Sequence, residues 1–183
     1  MNKTRSRSKV LLIAAIFLAP LVAAFWLHAS GWKPPASRNH GYLYAPARDF
    51  RGMVARDEAG KQIVWENTER RWHLLLIAPP DCDARCAGML DTVRRVWVGL
   101  GRHAADVDLH FVGTPDTNAR AALAAQSAFD VVSLTGGNPL PSAAANGVGL
   151  PVYLIDPHGY LVMRFDAGFE PGGLRRDLQR LLR

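Results

Sequence analysis

Cysteine is scarce in this chain: two residues, Cys82 and Cys86, occur in 183. Two thiols are too few for a disulfide-stapled mini-protein or for a structural zinc site built from cysteine alone, which needs four thiolates. The sequence also lacks a Gly-x-Ser-x-Gly elbow, a phosphate-binding glycine-rich loop and a pair of histidines four residues apart. Hydrolase and kinase functions are therefore excluded. The cysteine pair acts alone or together with ligands of other types.

The positive charge of the chain is concentrated at its N-terminus. The sequence carries 22 Lys and Arg against 16 Asp and Glu, a net charge of +6. Lys3, Arg5, Arg7 and Lys9 supply most of this excess, and the remaining chain is close to balanced. A nucleic-acid-binding domain carries its basic residues as a patch or stripe on the folded surface. The charge distribution therefore predicts no nucleic-acid partner.

One long hydrophobic run follows the basic cluster. Residues 10–27 contain no charged side chain, and a helix of that length nearly crosses a hydrocarbon core of about 30 Å. Basic residues before the run favour a cytoplasmic N-terminus. We therefore expect a cytoplasmic segment at 1–9, a transmembrane helix at 10–29, a proline-containing spacer at 30–38 and an exported domain at 39–183.

A cleaved signal peptide is the alternative interpretation of the same run. Val22, Ala23 and Ala24 would form a small-residue processing site, although the hydrophobic region of a signal peptide usually spans only about 7 to 15 residues. The length favours an uncleaved anchor in the inner membrane. In both cases the domain at 39–183 lies in the periplasm or another extracytoplasmic compartment, where a thiol pair can be oxidised.

Hydrophobic periodicity beyond the spacer predicts alternating strands and helices. A continuous apolar run at 73–78, stopped by two prolines, is typical of a strand buried on both faces. Apolar residues at three- and four-residue intervals from Cys86 to Leu100 predict an amphipathic helix directly after it. The other predicted elements are a hairpin at 53–55 and 62–65, a strand at 107–112, a helix capped by Asp116 or Thr117 that ends near Gln126, a strand at 129–134, a loop at 136–149, a hairpin at 152–156 and 160–165, and a closing helix marked by Leu174, Leu178, Leu181 and Leu182. This is the pattern of an α/β domain, a mixed sheet with helices on both faces.

Both cysteines stand between the buried strand and the amphipathic helix, in Pro-Pro-Asp-Cys-Asp-Ala-Arg-Cys at 79–86. This segment resembles the active-site turn of the thioredoxin superfamily. The spacing of Cys82 and Cys86 resembles the Sco branch in particular, whose members are membrane-anchored copper chaperones for cytochrome c oxidase. Pro151, followed by a strand and a turn, is similar to the loop proline of the superfamily, which is usually cis. The resemblance implies a thioredoxin-like mixed sheet flanked by helices at 39–183, with both cysteines and a cis Pro151 as site residues.

The chain departs from the Sco pattern at the third copper ligand. Sco-like domains carry a histidine a few residues before the strand that follows the loop. The matching place is near Val148, and no histidine lies between His110 and His158. His158 fits a turn, and we expect His110 and His73, which lie in apolar strands, to have core or edge roles. Met89 could be a weak thioether ligand, but a core role is the commoner one for methionine.

The spacing of the two cysteines permits two kinds of chemistry. Residues four apart on a helix share one face, so Cys82 and Cys86 could both bind a soft metal such as Cu(I). If Cys82 lies just before the helix, the pair can instead form a disulfide. The helix N-terminus and Arg85 favour the thiolate of Cys82, which we expect to be the attacking thiol, with Cys86 as the resolving thiol or second ligand. A small structural disulfide is the plainest alternative, although so short a loop stabilises little.

Three functions are therefore open from the sequence. The resemblance implies a membrane-tethered protein that assists assembly of a respiratory terminal oxidase by handling copper or the thiols of a copper-binding partner. Its partner would be an oxidase subunit or another exported thiol protein. The second function is that of a general periplasmic thiol–disulfide oxidoreductase, in which Cys82 attacks and Cys86 resolves the mixed disulfide. The third is a non-catalytic scaffold of the same fold.

Overall fold

The computed structural model describes residues 3–31, 39–78, 84–135, 140 and 150–182. Its contacts divide the chain into two units, Met1–Arg38 and Asn39–Arg183.

The first unit is built around one helix, α1 (Lys3–Ala29). An 18-residue window of α1, Leu12–Ala29, has a mean hydropathy of 2.2 and is long and apolar enough to cross a membrane. Large apolar side chains such as Phe25 and Trp26 are exposed along it, as expected for a helix whose surroundings are lipid. The helix therefore supports a single-pass membrane anchor.

The second unit contains a mixed β-sheet with helices. Its described strands are β1 (Tyr42–Asp49), β2 (Val54–Asp57), β3 (Gln62–Ile63), β4 (Trp72–Ile77), β5 (Val107–Val112), β6 (Phe129–Thr135), β7 (Val152–Ile155) and β8 (Tyr160–Phe165). Its described helices are α2 (Ala84–Val98), α3 (Thr117–Gln126) and α4 (Pro171–Leu181), with a 3₁₀-helix at Gly101–Asp106. The eight described strands follow the order β1-β8-β7-β4-β5-β6-β2-β3. β5 pairs parallel with β4 and with β6, and the other pairs are antiparallel.

Most of the predicted elements are confirmed. The first predicted hairpin is formed by β2 and β3 and the last by β7 and β8. Asp116, rather than Thr117, caps α3, because its side chain accepts a hydrogen bond from the amide of Ala119 at 2.7 Å. The predicted loop at 136–149 lies outside the described residues except for Leu140.

Strand β1 is an element that periodicity did not reveal. Of its eight residues only Tyr44 is buried, so no alternation of apolar and polar residues marks it. Pro46 also lies within it, and proline is restricted to edge strands and bulges because it has no amide hydrogen. β1 is indeed the edge strand beside β8. The 3₁₀-helix at Gly101–Asp106 is likewise not predicted by the sequence.

The three described helices of this unit pack on one face of the sheet, so the prediction of helices on both faces is wrong for this part of the chain. Leu76 of β4, Leu90 of α2, Leu123 of α3 and Leu174 of α4 belong to one buried cluster, the helical-face cluster. The reason is topological. The connections from β4 to β5 and from β5 to β6 step the same way across the sheet, and right-handed crossovers then place α2 and α3 on the same side.

The opposite face of the sheet is covered by aromatic side chains from β1 and the connecting segments. Trp65, Phe50 and Tyr44 pack there with Leu75 of β4 in a second buried cluster, the open-face cluster. Trp65 is 1% exposed, and its indole Nε1 donates a hydrogen bond to the carbonyl of Met53 at 2.7 Å. The partnered indole allows this large side chain to be buried without an unsatisfied donor.

A buried carboxylate ties the start of the unit to its last helix. Asp177 of α4 is 2% exposed, and one of its oxygens accepts hydrogen bonds from the amides of His40 at 2.6 Å and Gly41 at 3.0 Å. Its other oxygen lies 3.1 Å from Nδ1 of His40 and 3.4 Å from Nη1 of Arg180. These contacts fix the chain directly before β1.

Candidate functional site

The candidate site begins at the carboxyl end of β4. Leu74, Leu75 and Leu76 are fully buried, because β4 lies between β5 and β7 and is covered on both faces. Cys82 lies outside the described residues. Cys86 is the third residue of α2. The predicted order of a buried strand, the cysteine segment and a helix is therefore confirmed on both sides of the segment.

Pro151 lies beside the last residue of β4. The carbonyl of Pro151 accepts a hydrogen bond from the amide of Ile77 at 3.3 Å, and the next residue, Val152, pairs with Leu76. Pro151 thus lies beside Ile77, which precedes Cys82 by five residues in the sequence. The bond before Pro151 is trans, so the expected cis bond is wrong, and the cis bond among the described residues is the one between Ala45 and Pro46.

Close backbone contacts hold the residue that leads into the cysteine segment. The amide of Ala78 donates to the carbonyl of Val112 at 2.9 Å. Gly113 has a φ of +133°, and a side chain there would place its Cβ 3.1 Å from the Cβ of Ala78. Only glycine adopts this positive φ and allows so close an approach to Ala78 without strain. β4 and β5 therefore end side by side and fix the start of the segment.

On the other side of the segment, packing fixes α2. Leu90, Val93 and Val96 are buried in the helical-face cluster, which confirms the predicted apolar stripe. Met89 also packs against this cluster, as expected of a core methionine. In the parts of the chain that the structure describes, no group of three or more His, Cys, Asp and Glu side chains could hold a metal ion.

A buried histidine pair lies on the open face of the sheet, and its pairing was not predicted from the sequence. His73 of β4 is 4% exposed and His110 of β5 is 2% exposed. Nδ1 of His73 lies 3.0 Å from Nε2 of His110. The Trp65 ring packs edge-on against both, with centroid distances of 5.4 and 5.9 Å. The expectation of core roles is right. The strand register pairs Leu75 with His110 and His73 with Asp108. His73 and His110 are therefore diagonal neighbours on one face of the sheet, and a local sequence pattern does not contain this register.

The direction of the hydrogen bonds in this pair follows from Asn67. Its side-chain oxygen accepts from the amide of Arg71 at 2.7 Å and its nitrogen donates to the carbonyl of Arg71 at 2.9 Å, which fixes the amide orientation. The same nitrogen lies 3.3 Å from Nε2 of His73, and because an amide nitrogen only donates, this contact favours Nε2 as the acceptor. The Nδ1 hydrogen of His73 then points to His110, and the hydrogen of His110 lies on its own Nδ1.

Nδ1 of His110, the last donor in this series of hydrogen bonds, has no direct partner among the described residues. Nδ1 of His110 is buried without a hydrogen bond, and Oδ2 of Asp130 lies 3.9 Å away. Asp108, close to the pair, is bound by the guanidinium of Arg71. Burial, helped by the neighbouring His73, lowers the pKa of His110 to about 3. Burial also lowers the pKa of His73 below its usual 6.5. Both rings are therefore neutral at pH 7.

The remaining histidines described in the second unit have structural surroundings. His158 is exposed in a turn, where its amide donates to Oδ1 of Asp156 at 3.0 Å, as its sequence predicts. His40 contacts Asp177, and His103 lies 3.2 Å from Asp106.

Comparison with known proteins identifies the fold. A family model described as a transmembrane-like, thioredoxin-like, C-terminal domain matches residues 72–183. No curated protein matches the chain. Among solved structures, apo Sco1 from Thermus thermophilus has a TM-score of 0.55 at 16% identity and covers 81% of this chain and 99% of that one. A thioredoxin-like protein from Porphyromonas gingivalis has a TM-score of 0.51 at 16% identity, over 74% of this chain and 94% of that one. BsSco, a Sco-family protein with a disulfide switch, has a TM-score of 0.50 at 13% identity, over 74% of this chain and 94% of that one.

These matches confirm the thioredoxin-like α/β fold, and the resemblance to the Sco branch is confirmed at the level of the fold. The identities are low, so the shared fold is what they show.

The histidine pair predicts acid sensitivity. Below pH 6.5 the unfolded chain binds protons at His73 and His110 that the folded domain does not bind, because both pKa values are lowered in the folded state. The free energy of unfolding should therefore fall as the pH drops from 7 to 5. The loss is about 1.4 kcal/mol per pH unit for each histidine that stays neutral. Urea unfolding of the full chain in detergent, followed by near-ultraviolet circular dichroism, measures it.

A double variant and a matched control assign this effect. His73→Phe with His110→Phe removes both groups and should flatten the dependence on pH between 7 and 5. His158→Ala removes an exposed histidine and should leave the dependence unchanged. A wild-type stability that is constant over this range, or a double variant that keeps the full slope, would contradict the assignment.

Proposed function

The chain belongs to the transmembrane-like, thioredoxin-like C-terminal domain family, and on that basis we propose that it is a membrane-tethered dithiol protein. Cys82 and Cys86 handle copper, or the thiols of a copper-binding partner, during assembly of a respiratory terminal oxidase. α1 tethers the domain to the membrane with its N-terminus in the cytoplasm, so the domain faces the periplasm. The partner is an oxidase subunit or another exported thiol protein.

The observation that carries the proposal is the position of the cysteine segment. It joins the end of buried strand β4 to the first turn of α2, and Pro151 lies hydrogen-bonded beside Ile77 at the same end of the sheet. Cysteines at a helix N-terminus gain thiolate character from the helix dipole. The buried strand before the segment and the packed helix after it fix the two ends of the segment. This arrangement suits a pair that reacts with another molecule better than a loop staple, which would stabilise little.

Two thiolates are a sufficient donor set for Cu(I), a soft ion that accepts sulfur ligands. Cys82 would bind the incoming ion first, since we expect it to precede the helix, and Cys86 would complete the site from within α2. A pair without a further protein ligand leaves the ion open to thiols of a partner, which favours transfer. Sco1 from Thermus thermophilus shares the fold, and BsSco is described as a member of a family of cytochrome c oxidase assembly proteins.

The same pair supports exchange with a partner's disulfide. The Cys82 thiolate attacks one sulfur of that disulfide, forms a mixed disulfide and releases the partner's other sulfur as a thiolate. The Cys86 thiolate then attacks Cys82, which releases the second partner thiol. Two electrons pass to the partner, and this domain keeps a Cys82–Cys86 disulfide. A partner prepared in this way has both thiols free to receive copper.

A general thiol–disulfide oxidoreductase is the second candidate. The sequence favours it because no histidine lies between His110 and His158, where the Sco pattern has its third copper ligand. In this case the exchange of disulfides is the whole function, and copper is not bound.

Copper handling predicts one Cu(I) per chain. An anaerobic titration of the reduced full-length protein in detergent, with a competing Cu(I) chelator, should give stoichiometric binding. Cys82→Ser and Cys86→Ser should each weaken binding by at least a hundredfold, because one thiolate is lost. Met89→Leu is the matched control on α2 and should bind as the wild type does. Binding that neither serine variant affects would rule out the role of the pair.

Thiol exchange predicts a reducible disulfide. Equilibration of the full chain with glutathione buffers, with trapped thiols counted by mass spectrometry, should give a midpoint potential well above about −300 mV. Structural disulfides typically lie below that value, whereas strained or exposed disulfides that take part in exchange have higher potentials. A potential below it, together with no Cu(I) binding, would leave the scaffold as the function.

A further inference from the structure

A row of aromatic and arginine side chains lies on the edge strand β1. The guanidinium carbon of Arg164 lies 4.9 Å from the ring centroid of Tyr42. The rings of Tyr42 and Tyr44 meet edge to face at 5.2 Å, and the guanidinium carbon of Arg48 lies 5.1 Å from the centroid of Tyr44. We call these four residues the aromatic–arginine row.

This row combines exposed apolar surface with uncompensated charge. Tyr42 is 57% exposed and the adjacent Leu43 is 44% exposed. Arg164 is paired with Asp166 at 3.0 Å. Within the described residues no carboxylate pairs with Arg48, which is exposed. The exposed tyrosine and the guanidinium of Arg48 on this edge suit contact with an amphipathic, anionic partner.

Strand addition by a partner protein does not explain this edge. Pro46 has no amide hydrogen to offer, and the pairing of β1 with β8 shifts register between Leu43 and Arg48. Proline and bulges are the features by which edge strands avoid pairing with other chains. Recognition at this edge therefore relies on side chains.

The position of the row in the chain argues for the partner. β1 is the first strand of the second unit, and only a short segment joins it to α1. A fully extended chain from Ala29 to Tyr42 spans at most about 45 Å. The length of this segment therefore sets an upper limit on the distance between the row and the end of α1, whatever the arrangement of the two units. Tyrosine is enriched at the interface between lipid and water, and arginine binds phosphate groups through its planar fork.

We propose that the aromatic–arginine row docks the domain on an anionic lipid surface, with Tyr42 and Leu43 in the interface and Arg48 bound to lipid phosphates. The proposal depends on the membrane anchor and not on the chemistry of the cysteines. Tyr42 pairs with Arg164, which in turn pairs with Tyr153, two residues after Pro151. Docking thus places the carboxyl end of β4 near the membrane, within reach of a membrane-embedded partner.

Hydrogen exchange of the full chain in nanodiscs tests this docking. Peptides that cover Tyr42–Asp49 should exchange at least threefold more slowly in nanodiscs with phosphatidylglycerol than in nanodiscs of phosphatidylcholine alone. Slower exchange is expected because lipid contact excludes water from the outer edge of β1. The opposite edge strand β3 (Gln62–Ile63) is the internal control and should exchange equally in both. About 0.5 M salt should remove most of the difference, since screening weakens contacts between exposed charges.

Variants separate the row from general attraction of a basic protein to lipid. Arg48→Gln and Tyr42→Ser should each remove most of the protection, while Arg102→Gln, which removes an exposed arginine from the 3₁₀-helix, should keep it. Unchanged exchange of β4 and β5 shows that each variant is folded. Equal exchange of Tyr42–Asp49 in both lipids would overturn the proposal. A loss of protection in Arg102→Gln as large as that in Arg48→Gln would overturn the proposal as well.

Discussion

The structure depends on the burial of strand β4 at the centre of the sheet. Leu74, Leu75 and Leu76 are fully buried between β5 and β7, so the strand cannot move without exposing apolar surface on both faces. Its end is fixed by the hydrogen bonds of Ile77 to Pro151 and of Ala78 to Val112. The cysteine segment therefore starts from a rigid point and ends at a packed helix. The proposed reaction of the two thiols as a pair needs a segment whose ends are fixed in this way.

The two faces of the sheet serve different purposes. The helical face packs α2, α3 and α4 and so holds the helix that carries Cys86. The open face buries the pair of His73 and His110 under Trp65, and because burial lowers the pKa of both rings, we expect the stability of the domain to depend on pH. Among the described residues, no group of three or more His, Cys, Asp and Glu side chains could hold a metal ion. In this account reactivity rests with the cysteines, and the remainder of the domain positions them.

The sequence predicts the elements better than it predicts their arrangement. Apolar runs and periodicity located β4, α2, β5 and both hairpins, because each of these signals is local. Strand β1 has a single buried residue and gave no such signal. The placement of α2 and α3 on one face of the sheet follows from strand order, which a local pattern does not contain. The contact between His73 and His110 depends on register, and the trans bond before Pro151 departs from the superfamily resemblance.

The central claim is that Cys82 is accessible and reactive while Cys86 is held within α2. It is tested most directly by the rates at which the two thiols of the reduced full-length protein react with iodoacetamide, followed by peptide mass spectrometry. The account predicts that Cys82 reacts at least tenfold faster than Cys86 at pH 7 without denaturant. If both thiols stay unmodified until the domain unfolds, the pair is enclosed in the fold, and the account is contradicted.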